Sequence, residues 1–140
     1  MLPFPPKTLA LDYGTRRIGV AVSTGTLAEP LEVVSNRPEP EAFANVVSLG
    51  ALRRIKTLCQ DHQVAQILIG LSEGKMAELT QKFAQFVKTE CQLPIIFWDE
   101  TLSSVTVVSR LKAAKIDRRS QPKIDHFAAA TILEDWLENQ

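Results

Sequence analysis

Three carboxylates stand where the hydrophobic pattern ends a strand or begins a helix: Asp12, Glu100 and Asp125. Asp12 closes the apolar run Leu9-Ala10-Leu11 and precedes Tyr13-Gly14-Thr15-Arg16-Arg17, whose Gly14 to Arg17 portion reads as a short hairpin turn. An ionised acid in an apolar strand is costly unless it is salt-bridged, hydrogen-bonded or bound to a metal. Its place beside a tight turn lets a ligand reach it, and a cation or a phosphate suits such a position. An Asp ending a strand can equally bond the turn backbone, and this segment alone leaves both readings open.

The run Ile95-Ile96-Phe97-Trp98 ends in two adjacent acids, Asp99 and Glu100, which strand alternation sends to opposite faces. Asp99 is well placed to cap a following helix, which makes Glu100 the preferred ligand. Asp125 falls on one helix face with Ala128, Ala129, Ile132 and Trp136, judged by steps of three and four residues. An acid in a first helical turn also complements the helix dipole, but the apolar face favours a ligand role.

These acids need a scaffold, and the pattern supplies one. Strands are expected over 8–13, 18–23, 27–34 (weakened by Pro30), 65–70 and 94–98. Helices are expected over 39–60, 75–90, 101–114 and 123–139, with Gly50 a weak point in the first. The order βββαβαβαα implies an α/β fold, a mixed sheet of five strands flanked by helices. A length of 140 residues with 45% hydrophobic content fits one domain spanning 1–140. Cys59 and Cys91 lie far apart within helices, so a disulfide framework or a metal knuckle is not indicated, and both are expected reduced and buried. No run resembles a signal peptide or approaches a membrane span, which predicts a cytoplasmic protein without membrane contact.

With 16 basic and 16 acidic residues the formal charge is zero, so nucleic-acid binding would have to rest on uneven charge placement. That unevenness lies near the C-terminus, where Arg110, Lys112, Lys115, Arg118, Arg119 and Lys123 face the single acid Asp117. A solvated loop is one reading of this stretch and a surface for backbone phosphates is the other.

Taken together, four segments resemble the YqgF/RuvX family: Leu11-Asp12-Tyr13-Gly14-Thr15-Arg16-Arg17-Ile18-Gly19-Val20-Ala21-Val22-Ser23, Ile69-Gly70-Leu71, Asp99-Glu100-Thr101-Leu102-Ser103-Ser104 and Ile124-Asp125-His126-Phe127-Ala128-Ala129-Ala130-Thr131-Ile132-Leu133. The likeness spans nearly the whole chain. It implies an RNase H-like fold and a nuclease that trims the 5′ end of precursor 16S rRNA in ribosome biogenesis, a family also described as Holliday junction resolvases. By carry-over Asp12, Glu100 and Asp125 are the catalytic acids. One departure stands out: Gly70-Leu71-Ser72-Glu73-Gly74 leads almost directly into a helix, where family members often carry a longer loop with Pro and a later Gly. Glu73 is therefore a reserve acid should Glu100 be misplaced.

The implied chemistry suits these residues. Two cations about 4 Å apart can serve both ends of an in-line displacement at phosphorus. Mg²⁺ prefers a few carboxylates with water and substrate phosphate, and Mn²⁺ should substitute. On this reading Asp12, Glu100 and Asp125 hold the metal, while Arg16, Arg17, Arg118, Arg119 and Lys123 hold nucleic acid: precursor rRNA first, branched DNA as the alternative, with a ribosomal particle as a further partner. His126 stays outside the catalytic set. Two other classes remain. An Asp-Tyr-Gly-Thr turn also resembles the first phosphate loop of actin-like ATPases, although those clamp nucleotide between two domains and this length supplies one. The other is a nucleic-acid-binding module without turnover, in which the acids are structural.

Overall fold

The computed structural model describes residues 5–37, 46–99 and 124–140, with side chains of the last segment described from Ala128 onward. Five strands, β1 (Thr8–Asp12), β2 (Arg17–Thr24), β3 (Leu27–Ser35), β4 (Gln66–Leu71) and β5 (Ile95–Asp99), form one sheet in the order β3-β2-β1-β4-β5. The first three make the expected antiparallel meander, and β4 and β5 add in parallel to β1 and β4 respectively. Parallel neighbours need crossovers, which α1 (Leu49–His62) and α2 (Gly74–Cys91) supply. A last helix, α3 (Ile124–Glu138), covers the opposite face. The expected helix over 101–114 lies outside the described residues.

Alternation along the strands builds two cores. Leu9, Leu11, Ile18, Val20, Ile67 and Ile69 point to the α1/α2 side, where they meet Ile55, Phe83 and Val87. Ala10, Ala21 and Leu68 point the other way, onto Ala129, Ile132, Leu133 and Trp136 of α3. Small residues on β1 and β2 let that helix lie close to the sheet. Pro30 does not break β3. It sits on an edge strand, where a missing N–H costs no ladder bond, and the register slips there, from Val20 opposite Glu32 to Ala21 opposite Pro30.

The first helix starts later than the periodicity predicts. Val46 and Val47 are fully buried, which produced the apolar signal, yet they precede the helix. Ser48 is the cap: its Oγ accepts a hydrogen bond from the Ala51 N–H at 3.1 Å. Gly50 therefore occupies the first turn instead of weakening a middle one. Phe43 and the rest of 38–45 lie outside the described residues.

The two cysteines are free, and Cys59 is buried and Cys91 partly so. Far apart in sequence, they meet across the seam between α1 and α2. A hydrogen bond with Cys91 and burial push the Cys59 thiol up. Among the described residues no helix is long and apolar enough to cross a membrane.

Candidate active site

Three strands end together. The parallel registers place the C-terminal ends of β1, β4 and β5 at one edge of the sheet, where Gly70 lies opposite Trp98 and Leu71 opposite Asp99. β2 begins and β3 ends at that same edge, with Arg17 opposite Ser35. Acids and arginines far apart in sequence are thus delivered to one place by topology.

Asp12 is the last residue of β1, half-buried, and lies opposite Gly19 of β2. Its position shares parity with Ala10, which puts it on the α3 face. Extending the β1–β4 register by one residue brings Gly70 beside it on the other side. Asp12 therefore has a glycine on each neighbouring strand, and no side chain at either position competes for the space along the sheet next to its carboxylate. A glycine within a strand often marks such a close approach. Gly19 and Gly70 were quoted in the sequence as parts of motifs, but their convergence on Asp12 depends on a pairing between β1 and β4 that local pattern does not reveal.

The turn after Asp12 is tightly held. Tyr13 points into the α1/α2 core, stacks on Phe83 with ring centroids 4.6 Å apart, and donates its hydroxyl hydrogen to the Val46 carbonyl at 2.6 Å. Burial raises the pKa of that phenol, which keeps it a donor. Gly14 is required by space: a Cβ there would stand 2.5 Å from the Arg17 carbonyl oxygen.

Asn36, immediately after β3 and only 1% exposed, is the second anchor. Its Nδ2 donates to the carbonyls of Gly14 and Val46, both at 3.1 Å, and its Oδ1 accepts from the Ser48 N–H at 2.9 Å. Its own N–H donates to the Arg16 carbonyl at 2.8 Å. One side chain thus ties the β1–β2 turn to the start of α1. In sequence it reads as a loop residue before Arg37-Pro38, and only its inward bonding distinguishes it. Asn36→Leu fills the volume but leaves buried backbone groups unsatisfied, so a loss of about 2–3 kcal/mol is expected. Urea unfolding checks this, and an unchanged midpoint would remove Asn36 from that role.

Of the other predicted residues, Arg16 is exposed in the turn and Arg17 is exposed as the first residue of β2. Arg17 is the diagonal neighbour of Asp12 on the same sheet face, about 7–8 Å away between backbone positions. Asp99 falls by alternation on the opposite face, with Ile95 on the α2 side. Glu73 is exposed and caps α2 by position, without a side-chain bond to the helix. Asp125 occupies the first turn of α3, and helical spacing aligns its position with the buried Ala129, Ile132 and Trp136. Glu100, Arg118, Arg119 and Lys123 lie outside the described residues. Among the described residues no three His, Cys, Asp or Glu side chains gather to hold a metal ion.

The arginines line a concavity of about 740 Å³ together with Thr15, Val33, Ser35, Asn36 and Arg37. Arg37 was not singled out in the sequence, where it stands alone between Asn36 and Pro38.

A family model described as "RuvX: Holliday junction resolvase" matches residues 6–139. A protein of Roseiflexus sp. (strain RS-1), named "Putative pre-16S rRNA nuclease", is 36% identical over 145 residues, covering 97% of this chain and 96% of its own. A protein of the same name from Geobacillus kaustophilus (strain HTA426) is 33% identical over 143 residues, covering 96% and 99%. Among solved structures, T. thermophilus RuvC in complex with a Holliday junction substrate aligns with a TM-score of 0.61 at 16% identity, over 91% of this chain and 92% of that one. At that identity the likeness speaks for the fold, and it agrees with the RNase H-like architecture implied by the sequence motifs.

Proposed function

Since the chain belongs to the RuvX family, we propose that it is a metal-dependent endonuclease that hydrolyses phosphodiester bonds, with the 5′ region of precursor 16S rRNA as substrate. The observation that carries this reading is the place of Asp12: the end of the central strand, flanked by Gly19 and Gly70, diagonal to Arg17, at the edge where β4 and β5 also end. The names of the curated relatives point to the same substrate.

The donor set suits a hard divalent cation. Asp12 is a carboxylate with bare backbone on both sides, and the other two acids proposed, Glu100 and Asp125, are likewise oxygen donors. Mg²⁺, with Mn²⁺ as a substitute, would activate a water and stabilise the leaving oxygen. Asp12 would hold the metal from the end of β1, with Glu100 and Asp125 as its other ligands. Arg17 holds a phosphate oxygen beside Asp12, a role the planar guanidinium fork suits. Arg16, Arg118, Arg119 and Lys123 bind the flanking backbone. The substrate places the reaction in the cytoplasm, with a ribosomal particle presenting the RNA.

One observation favours a second reading, resolution of branched DNA: the description of the matching family model. A cleavage assay separates them. Labelled precursor rRNA leader, single-stranded RNA and a four-way DNA junction are incubated with Mg²⁺, Mn²⁺ or EDTA. Metal-dependent cutting of the leader is expected. Preferential cutting of the junction transfers the activity to the second reading, and no cutting of either, with the leader supplied both free and on the ribosomal particle, refutes both.

A further inference from the structure

We infer that the concavity lined by Arg16, Arg17 and Arg37 is a second phosphate subsite, which grips the backbone of a single nucleic-acid strand away from the reacting bond. This rests on the nuclease reading for its purpose, and its own evidence is geometric.

Charge comes first. Three guanidinium side chains line one concavity, and among its described lining residues there is no carboxylate. The acid that β3 carries nearby, Glu32, is occupied elsewhere: it forms a bidentate pair with Arg54 of α1, with Nη2 to Oε1 at 2.6 Å and Nε to Oε2 at 2.9 Å. That hydrogen bonding lowers the Glu32 pKa, so this acid stays paired with Arg54. Thr15, Ser35 and Asn36 add hydroxyl and amide groups to the lining. Three arginines around polar groups supply N–H donors that match the acceptor geometry of phosphate oxygens.

Placement comes next. Arg17 and Ser35 are paired across β2 and β3, and both positions share the sheet face of Asp12. Ser35 lies two strands across and two residues along from Asp12, about 12 Å away by strand spacing and rise. The concavity therefore sits on the same face and at the same end of the sheet as the acid: Arg17 is its member nearest Asp12, and its far side, at Ser35, lies beyond reach of the phosphate held there. Its floor is rigid, because Asn36 joins the turn at Gly14 and Arg16 to the start of α1. The first turn of α1 carries no acid, so the positive end of its dipole remains beside the lining residue Asn36.

The cavity is larger than one phosphate. At about 740 Å³ it lies within the range of nucleotide-sized ligand sites. The ligand class is a phosphodiester-linked strand.

The test separates binding from cleavage. Fluorescence anisotropy of a short labelled single-stranded RNA is measured in EDTA, where no metal-dependent cutting occurs, across a salt series. Arg37→Ala is expected to raise Kd about five- to tenfold and to lower the slope of log affinity against log salt by about 0.7, the value of one lost phosphate contact on a single strand. Arg37→Lys should recover the slope by restoring the charge. Arg37 is exposed, so both variants are expected to fold as the wild type does. Wild-type affinity and slope in Arg37→Ala would overturn the subsite, and so would a wild type that does not bind the RNA. Failure of the nuclease reading looks different: no metal-dependent cutting by the wild type, with the Arg37-dependent binding intact.

Discussion

Asp12→Asn is expected to reduce metal-dependent cleavage by at least about 10²- to 10³-fold, the scale on which loss of one electrostatic group at a reacting centre is felt. The substitution keeps the volume and one acceptor oxygen, exchanges the other oxygen for an amide NH2 donor, and deletes the negative charge that a metal needs. Asp12 ends the central strand, with Gly19 and Gly70 as its cross-strand neighbours. Neither can supply a replacement ligand. Stability should change by less than about 1 kcal/mol, since the residue is only half-buried and Asn can keep neutral hydrogen bonds. Binding of the labelled RNA in EDTA should be retained, because the arginine concavity is untouched. Single-turnover cleavage in Mg²⁺ and in Mn²⁺, beside urea unfolding of the same preparation, makes the measurement. Wild-type cleavage in Asp12→Asn would remove Asp12 from the reaction, and cleavage lost together with the fold would assign the acid a structural role.

The residues differ in how visible they are without the fold. Asp12 announces itself because a carboxylate interrupts an apolar run just before a Gly-containing turn, and both signals are local. The succession of strands along the chain and the mixed five-stranded sheet were also readable, since three strands followed by alternating helix and strand leave few sheet arrangements open. The start of α1 was not. Val46 and Val47 are buried at spacings that mimic a continuing helix, although Ser48 caps the helix after them. Burial periodicity cannot distinguish an extended segment tucked under a core from one more helical turn. Asn36, Gly19 and Gly70 escaped for another reason. Each acts across a pairing between distant segments, and nothing in a local window says that Gly70 will stand beside Asp12 or that Asn36 will reach Ser48. Arg37 shares that fate: one cation before a proline is unremarkable until β2 and β3 align it with Arg16 and Arg17.

Phe83→Ala carries the largest expected loss of stability and links the core to the site. Phe83 lies on α2 and is fully buried, its ring stacked on that of Tyr13 at 4.6 Å with 29° between planes. Truncation removes a large apolar side chain and leaves a cavity that the surrounding helix and sheet only partly collapse into. A cost of about 3–5 kcal/mol is expected. Against a total of about 5–15 kcal/mol for a small domain, that is a large fraction of the whole. Tyr13 follows Asp12 directly and points to the opposite side of the sheet, so its ring and its bond to Val46 pin the backbone on which the acid stands. Losing the stack should therefore lower kcat even at temperatures where the variant is folded, because displacement of a reacting group by about 1 Å can cost about 10²-fold. Phe83→Leu keeps most of the volume and should lose less of both. Urea midpoints and single-turnover rates at low temperature, compared across the two variants, test the link. A Phe83→Ala midpoint equal to that of the wild type would show that the stack does not support the fold, and a reduced midpoint with an unchanged rate would separate the core from the site.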